Sequence, residues 1–234
     1  MRVKIAGLIT ELCPKYENTI QLCKPFIYDG DRETDIRLSV SEEYLDSLMK
    51  RAVKGVNIGA IENFAYSCKF NVKAIRFQTM LVHSSALIYG GGAYLFSGDS
   101  GIGKSTHTRL WLKAFGERVH IMNDDKPVVR MYEDKAVAYG TPFDGGSSIA
   151  LNEAYPLRAI VFVERGEHNS VRIPDNKEII QRLYFQTAKK VKAETAVLML
   201  ENFEKLISFS DFFVLTCNTD ITAAHTAFEN IIPN

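Results

Sequence analysis

Apolar and polar positions alternate in short segments over the first forty residues, which predicts a small N-terminal sheet. Three segments fit strands, with a polar turn at Asp29-Gly30-Asp31 before the last, and they cover residues 3–9, 21–28 and 35–40. Ser41 is followed by Glu42 and Glu43, so its hydroxyl can cap a helix while the two carboxylates lie near the positive end of the helix dipole. We expect this helix to reach Arg51 and a second helix to cover residues 60–69.

Longer apolar runs in the rest of the chain predict a sheet that is rich in antiparallel pairs. Two hairpins are expected, turning at Gly90-Gly91-Gly92 and at residues 133–135, with strands at 80–89, 93–96, 127–132 and 136–139. Further strands are predicted at 119–122, 159–163 and 212–215, and helices at 177–188 and 195–207. A last helix, followed by Pro233, is predicted from the spacing of Ile221, Ala224, Phe228 and Ile231. The pattern as a whole predicts a mixed α/β fold.

The composition is that of an ordinary globular protein. Of the 234 residues, 46% are hydrophobic and 24% are charged, and 28 basic residues balance 28 acidic ones. This balance gives no basis for a nucleic-acid partner or an anionic membrane partner, so any phosphate recognition must be local. The four cysteines have no zinc-ligand spacing, and we expect them to be reduced in a soluble, cytoplasmic protein; they are Cys13, Cys23, Cys68 and Cys217.

A phosphate-binding loop is the strongest motif in the chain. Residues 98–105 match the pattern G-x-x-x-x-G-K-S/T, and they read Gly98, Asp99, Ser100, Gly101, Ile102, Gly103, Lys104 and Ser105. The loop follows an apolar strand and opens a segment with helical apolar spacing, which is the context that phosphate binding requires. Lys104 is expected to reach the β- and γ-phosphates of a nucleotide, and the Ser105 hydroxyl to bind Mg²⁺. The sequence therefore predicts ATP and Mg²⁺ as cofactors.

Two acids lie where the partner carboxylate of such a loop is expected. Asp124 and Asp125 follow the predicted strand 119–122 directly after Asn123. One carboxylate is needed for the metal, and the second can accept the proton of an attacking hydroxyl, as in kinases. The alternative is a solvated turn that leads into Pro127.

Three segments in this order resemble the HPr kinase/phosphorylase and ATP-dependent phosphoenolpyruvate carboxykinase superfamily, especially uncharacterised HPr kinase-like proteins. They are Val82-His83-Ser84 with the hairpin into the loop, Asn123-Asp124-Asp125-Lys126-Pro127, and Tyr139-Gly140-Thr141-Pro142-Phe143. The resemblance implies a carboxykinase/HPr kinase-like P-loop domain over residues 76–234. Residues 1–75 are then expected to form a small N-terminal α+β region.

The resemblance also implies roles for single residues. His83 matches a histidine near the transferred phosphoryl group, Asp124 the catalytic acid/base, and Asp125 the acid on the metal side, although the residues alone leave the two aspartates interchangeable. For His83 a core position bonded to backbone is the alternative. Thr106, counted with the nucleotide-binding loop, replaces the glutamate usual in HPr kinases. The arginine and the further metal-binding glutamate of the family have no assigned counterpart, and the available side chains are Glu153, Arg158, Glu164 and Arg165.

These features predict an ATP- and Mg²⁺-dependent kinase that acts on a serine hydroxyl of a protein or peptide. A nucleotide-binding sensor or scaffold without phosphoryl transfer is one alternative, and a small-molecule kinase is another. The resemblance also leaves a homo-oligomer open. Arg109 lies one turn after Ser105 and either contacts phosphate or belongs to a solvated helix face, whereas Trp111 and Phe115 are expected to pack in the core.

Overall fold

The computed structural model describes residues 1–187 and 191–232. The N-terminal region contains a three-stranded sheet in which β2 lies between an antiparallel β1 and a parallel β3. Three helices complete this region. The elements are β1 (Arg2–Ile5), β2 (Leu8–Glu11), α1 (Glu17–Cys23), β3 (Ile36–Arg37), α2 (Glu42–Met49) and α3 (Ile58–Ala74).

The rest of the described chain forms a nine-stranded mixed sheet. Its strands are β4 (Thr79–Leu81), β5 (Ser84–Tyr89), β6 (Gly92–Ser97), β7 (Val119–Asn123), β8 (Val128–Met131), β9 (Ala136–Tyr139), β10 (Ala154–Arg165), β11 (Ser170–Arg172) and β12 (Asp211–Cys217). Seven strands follow the order β4-β8-β9-β10-β6-β5-β7, and β12 pairs with β10 and carries β11. Among the described residues, the parallel pairs of this sheet are those of β10 with β6 and with β12. The prediction of a mixed α/β fold with an antiparallel-rich sheet is confirmed.

Helices cover both faces of the large sheet. Along β10, Ile160 and Phe162 face a core shared with α5 (Asn176–Gln186) and α6 (Ala193–Phe209), because successive strand residues point to opposite faces. The residues between them, such as Val161, face a core shared with α4 (Lys104–Phe115) and α7 (Thr222–Ile231). The sheet is therefore the middle of three layers.

Trp111 is the centre of the second of these cores. It is fully buried and packs against Phe96, Phe115 and Phe228, with ring centroids 5.8, 5.1 and 5.9 Å away. The expectation that Trp111 and Phe115 are core residues is confirmed. Helix α4, which starts at the phosphate loop, is thereby fixed to the sheet.

The N-terminal region shares a core with the large sheet. Phe26 and Phe70 from this region cluster with Leu81, Val128 and Phe143. The predicted boundary at residue 75 falls in a short 3-10 turn, Ile75–Phe77, that leads from α3 towards β4. Among the described residues, no helix combines the length and the apolar character that a membrane span requires.

Some predicted elements are wrong, and tertiary contacts explain the largest error. Residues 21–28 are not a strand but the end of α1 and a 3-10 turn, Lys24–Phe26, with Pro25 near its start. The buried carboxylate of Glu62 accepts hydrogen bonds from the backbone N–H groups of Lys15 and Tyr16, which lie just before α1. A helix start is thus stabilised from a distant segment, against the local pattern.

Other elements were predicted with wrong limits. The predicted strand 3–9 is a hairpin of β1 and β2 that turns at Ala6 and Gly7. The predicted strand 35–40 is reduced to the two residues of β3, and α3 extends beyond the predicted helix 60–69 at both ends. The predicted strand 80–89 is broken between β4 and β5, because the backbone N–H of His83 donates to the Gln186 carbonyl, on α5. The N-cap is confirmed: Ser41 Oγ accepts from the Tyr44 N–H.

The remaining predicted elements are present. The helices at 177–188 and 195–207 correspond to α5 and α6, and the strand at 159–163 is the inner part of the longer β10. The predicted end of the first of these helices, at residue 188, lies outside the described residues, as does Pro233 after the last helix.

Replacing Trp111 with Ala should lower the free energy of unfolding by about 3–5 kcal/mol, because a fully buried indole leaves a large cavity. The control is Leu112→Ala on the exposed side of the same helix, which should cost about 0.5 kcal/mol or less. Urea unfolding followed by circular dichroism measures both. Equal losses in the two variants would contradict the packing described for α4.

Candidate phosphate-binding site

Four strand ends meet where the phosphate loop lies. Since β5 is antiparallel to both β6 and β7, and β10 is parallel to β6 and β12, the strands β6, β7, β10 and β12 all run in one direction. Their carboxyl ends lie at one edge of the sheet, where α/β folds usually bind ligands. Residues 98–103 leave this edge from β6 and lead into α4.

The loop backbone is open towards solvent at its tip. Gly101 and Gly103 have φ angles of 77° and 118°, a backbone conformation that residues other than glycine rarely adopt. A Cβ atom at either position would meet nothing within 4 Å, so the strain of the backbone and not lack of space selects glycine there. Helix α4 begins without a side-chain cap, which leaves its first N–H groups available to an anion.

Lys104 lies across the loop. Its Nζ donates to the carbonyl oxygens of Gly98 and Asp99, at 2.9 and 3.1 Å, and burial lowers the pKa of its ammonium group. The neighbouring carboxylates of Asp99 and Asp124 act against this lowering. Ser105 follows half-buried in the first turn of α4, and Thr106 is exposed. The structure therefore places the predicted nucleotide-binding residues 98–106 in one continuous turn around a buried cation.

Asp124 comes directly after β7 and faces α4. Its side chain is 2% exposed, and its Oδ2 lies 3.9 Å from an NH2 nitrogen of Arg109, a residue whose own side chain is 63% exposed. The other carboxylate oxygen, Oδ1, is buried and has no hydrogen-bond partner among the described residues. Since buried carboxylate oxygens are almost always paired, this atom fits a cation or a proton donor that arrives with a ligand.

Asp125 has other neighbours than Asp124, in a turn that Asn123 closes. The Asn123 side-chain oxygen accepts from the backbone N–H groups of Asp125 and Lys126, at 3.1 and 2.7 Å, and so closes a tight turn after β7. Asp125 Oδ1 lies 3.3 Å from His83 Nε2, and Oδ2 contacts the Lys126 ammonium group. The two predicted acids thus belong to one turn but to different surroundings.

His83 is half-buried beside these groups. Its Nδ1 lies 3.1 Å from the side-chain oxygen of Gln186, and its backbone carbonyl accepts from Ser97 Oγ at the end of β6. Burial, and next the positive charge of Lys104, lower the pKa of His83 to about 4, against the opposite effect of the Gln186 hydrogen bond. The ring is therefore neutral at neutral pH. Its side chain contacts site residues, so the structure brings His83 together with Asp125.

One of the cavities beside the loop, the α3 cavity, has a volume of about 600 Å³. It is lined by Phe64, Cys68 and Asn71 of α3 and by His83, Ser100, Asp125 and Lys126. Lys126 is nearly buried in its wall, which lowers the pKa of the ammonium group to about 8, and its Nζ lies 5.4 Å from the centre of the Phe64 ring. This cavity combines an apolar rim with charged groups at its inner end.

Another cavity beside the loop, the β12 cavity, has a volume of about 370 Å³. Its lining includes Gly103, Thr106, Arg165, Asn218 and Thr219. The loop therefore borders cavities towards α3 and towards the end of β12.

Arg165 supports the loop from the end of β10. Its Nε donates to the Ile102 carbonyl at 3.2 Å, and its NH2 group donates to the Gly101 carbonyl. The two glutamates that were available as a further metal ligand have other partners: Glu164 pairs with Arg182, and Glu153 pairs with His120 at 2.8 Å. Spacing in the sequence could not single out Arg165, because the partner atoms are backbone carbonyls more than sixty residues away.

Metal binding at the loop would have to use few protein ligands. In residues 1–187 and 191–232, no group of three His, Cys, Asp or Glu side chains is arranged to hold a metal ion. A P-loop metal site needs only the loop hydroxyl and a nearby acid, since the phosphates supply the other oxygens. The unpaired Asp124 Oδ1 and the Ser105 hydroxyl fit such a site.

Comparison with known proteins adds a distant likeness. No protein-family model matches the chain, and no curated protein matches it. A solved structure, the Hpr(Ser) kinase/phosphatase from Coxiella burnetii, aligns with 54% of this chain and 96% of its own, at 12% sequence identity and a TM-score of 0.32. This is a distant structural resemblance only, and the family suggested by the sequence stays a prediction.

The buried His107 at the start of α4 should make the fold sensitive to acid. Burial lowers its pKa from the usual 6.5 to about 4, so the unfolded chain binds a proton before the native chain does. Stability is therefore lost as the pH falls from 6.5 towards 4, and His107 alone should remove roughly 2 kcal/mol between about pH 8 and about pH 5.

Denaturant titrations at the two pH values measure this loss. His107→Gln keeps an acceptor for the Trp111 N–H, which now bonds His107 Nε2 at 2.9 Å, and should reduce the loss by that amount. The control is His168→Gln, at an exposed position, which should leave the loss unchanged. An identical pH dependence in His107→Gln and wild type would show that His107 is not held neutral.

Proposed function

We propose that this protein is an ATP- and Mg²⁺-dependent kinase that transfers the γ-phosphoryl group to a serine hydroxyl of a protein or peptide. The observation that carries the proposal is the turn after β7, in which one carboxylate faces α4, the helix that begins at the phosphate loop, and the next one lines a cavity beside the loop. Binding of phosphate and activation of an acceptor are thus served by neighbouring residues on two sides of one loop.

The loop would hold the nucleotide through its backbone N–H groups and Lys104. Lys104 reaches the β- and γ-phosphates in loops of this kind, while the backbone N–H groups of the loop hold the α- and β-phosphates. An acceptor in the α3 cavity, which Ser100 and Asp125 line, would meet the γ-phosphate from that side of the loop. The nucleoside belongs on the side of Thr106, in the β12 cavity.

The surroundings of the two acids favour Asp124 on the metal side and Asp125 on the acceptor side, which is the reverse of the roles that the family resemblance implies. Asp124 faces α4, the helix that carries Ser105, and has an unpaired buried oxygen. Asp125 lines the α3 cavity, where a hydroxyl can reach it. When bound, Mg²⁺ neutralises charge that develops on the phosphates.

Asp125 would take the proton of the acceptor hydroxyl, with His83 and Lys126 beside it. The α3 cavity is large enough for a side chain or a short peptide segment, and its outer wall contains the exposed ring of Phe64. These features support an acceptor that enters with an apolar portion against α3.

Lys104→Met should weaken ATP binding by roughly 10- to 100-fold, because a charge-assisted hydrogen bond to phosphate contributes about 1.5–3 kcal/mol. The matched control is Lys113→Met, an exposed position in the last turn of the same helix, which should bind ATP like wild type. Isothermal titration calorimetry compares the affinities. ATP affinity unchanged by Lys104→Met would remove the basis of the proposal.

Asparagine variants separate the roles of the two acids. Asp124→Asn should weaken Mn²⁺ binding to the nucleotide complex, measured by electron paramagnetic resonance. Asp125→Asn should leave both ligands bound while transfer falls by roughly 10²- to 10⁴-fold, the usual effect of losing a general base. The opposite pattern would restore the roles that the resemblance implies.

Labelled ATP offered to a cell extract identifies the acceptor class. A labelled protein band that is absent with Lys104→Met supports the serine kinase. A labelled small molecule would indicate a small-molecule kinase instead. ATP binding with no labelled product would indicate a sensor or scaffold.

A further inference from the structure

Gln186 links the phosphate loop to His83 through its side chain. It is the last residue of α5 and is 8% exposed. Its Nε2 donates to Asp99 Oδ1 at 3.0 Å, and its Oε1 lies 3.1 Å from His83 Nδ1. Asp99 is the second residue of the loop, so three side chains connect the loop with the α3 cavity.

The chemistry of these groups fixes the direction of each hydrogen bond. A carboxylate only accepts, so the amide nitrogen of Gln186 must face Asp99. The amide oxygen then faces His83, and His83 Nδ1 must be the donor. A neutral imidazole that donates from Nδ1 has a bare Nε2 that only accepts.

The backbone holds His83 in the same place. The His83 N–H donates to the Gln186 carbonyl at 2.9 Å, in the break between β4 and β5. Asn71 of α3 ties the same region together, because its Nδ2 donates to the Thr187 carbonyl and its Oδ1 accepts from the Leu81 N–H. Gln186 therefore holds both the main chain and the ring of His83.

We propose that Gln186 is a positioning residue that holds His83 in the Nδ1–H tautomer and presents its Nε2 to the α3 cavity as a hydrogen-bond acceptor. Nε2 lies 3.3 Å from Asp125 Oδ1, so an accepting nitrogen and a carboxylate meet at one point of the cavity wall. Both groups only accept, so a hydroxyl at this point donates its single proton to one of them, and Asp125 Oδ1 receives no hydrogen bond from the ring.

The catalytic consequence rests on the proposed kinase function, but the tautomer does not. In the kinase, the bare Nε2 leaves Asp125 Oδ1 free of a hydrogen bond from the ring, so that it can accept the proton of the acceptor hydroxyl, and Gln186 connects this arrangement to Asp99 of the loop. Loss of Gln186 would leave Nδ1 without its acceptor. The ring proton then moves to Nε2, and this N–H donates a hydrogen bond to Asp125 Oδ1.

Two-bond proton–nitrogen NMR spectra of protein labelled with ¹⁵N-histidine report the tautomer directly, without nucleotide. The His83 signals are assigned by their absence in His83→Asn. Wild type should show the Nδ1–H pattern, and Gln186→Met, similar in size but unable to bond, should show the Nε2–H pattern. The matched control is Gln181→Met, an exposed position on the same helix, which should keep the wild-type pattern. Nε2–H in wild type, or Nδ1–H retained in Gln186→Met, would overturn the assignment.

Kinetics with the acceptor found by labelling test the positioning role. Gln186→Met should lower kcat by roughly tenfold, as loss of an orienting partner commonly does, with KM for ATP changed by about twofold or less. An Nε2–H tautomer in Gln186→Met together with an unchanged kcat would overturn the positioning role. A protein that transfers no phosphate in any assay would refute the kinase and leave the tautomer result standing.

Discussion

The parallel pairing of β10 with β6 and β12 decides where functional groups can gather in this fold. Because β7 also runs in this direction, four strands deliver their carboxyl ends to one edge. The residues at these ends are Gly98, Asp124, Arg165 and Asn218: Gly98 opens the loop, Asp124 faces α4, and the other two line the β12 cavity. An antiparallel β10 would have sent Arg165 to the opposite edge and left the loop carbonyls without their donor.

The same edge of the sheet brings together charged side chains that have little contact with water. Lys104, Lys126 and Asp124 are each largely or fully buried, and burial of a charge is expensive unless a partner compensates for it. Lys126 has Asp125, and Lys104 has the loop carbonyls, but one oxygen of Asp124 has none among the described residues. Such a site is stabilised by what binds to it, so a ligand that supplies positive charge to Asp124 also strengthens the fold.

The parts of the site that the sequence predicts are those with a local signature. The loop, the helix behind it and the two acids lie within thirty residues, and their spacing follows from a strand, a turn and a helix. The direction in which each acid points depends on Asn123 and on the helix opposite, so it could not be predicted from spacing. Gln186 is separated from His83 by 103 residues, and nothing in its own neighbourhood distinguishes it from an ordinary helix end. The start of α1 was missed for the same reason, since Glu62 stabilises it from 46 and 47 residues away.

Helix α3 belongs to the N-terminal region, yet it forms one wall of the α3 cavity while the loop and both acids come from the large sheet. Asn63 of the same helix binds the Pro142 carbonyl and the Asp144 N–H, and so holds the segment that passes beside Asp125. The surface that meets an acceptor and the surface that meets phosphate are therefore encoded in different stretches of the chain. Substitutions in α3 can therefore change the surface that meets the acceptor without changing the surface that meets phosphate. A protein of this architecture can thus evolve to use new acceptors while its binding of the nucleotide stays the same.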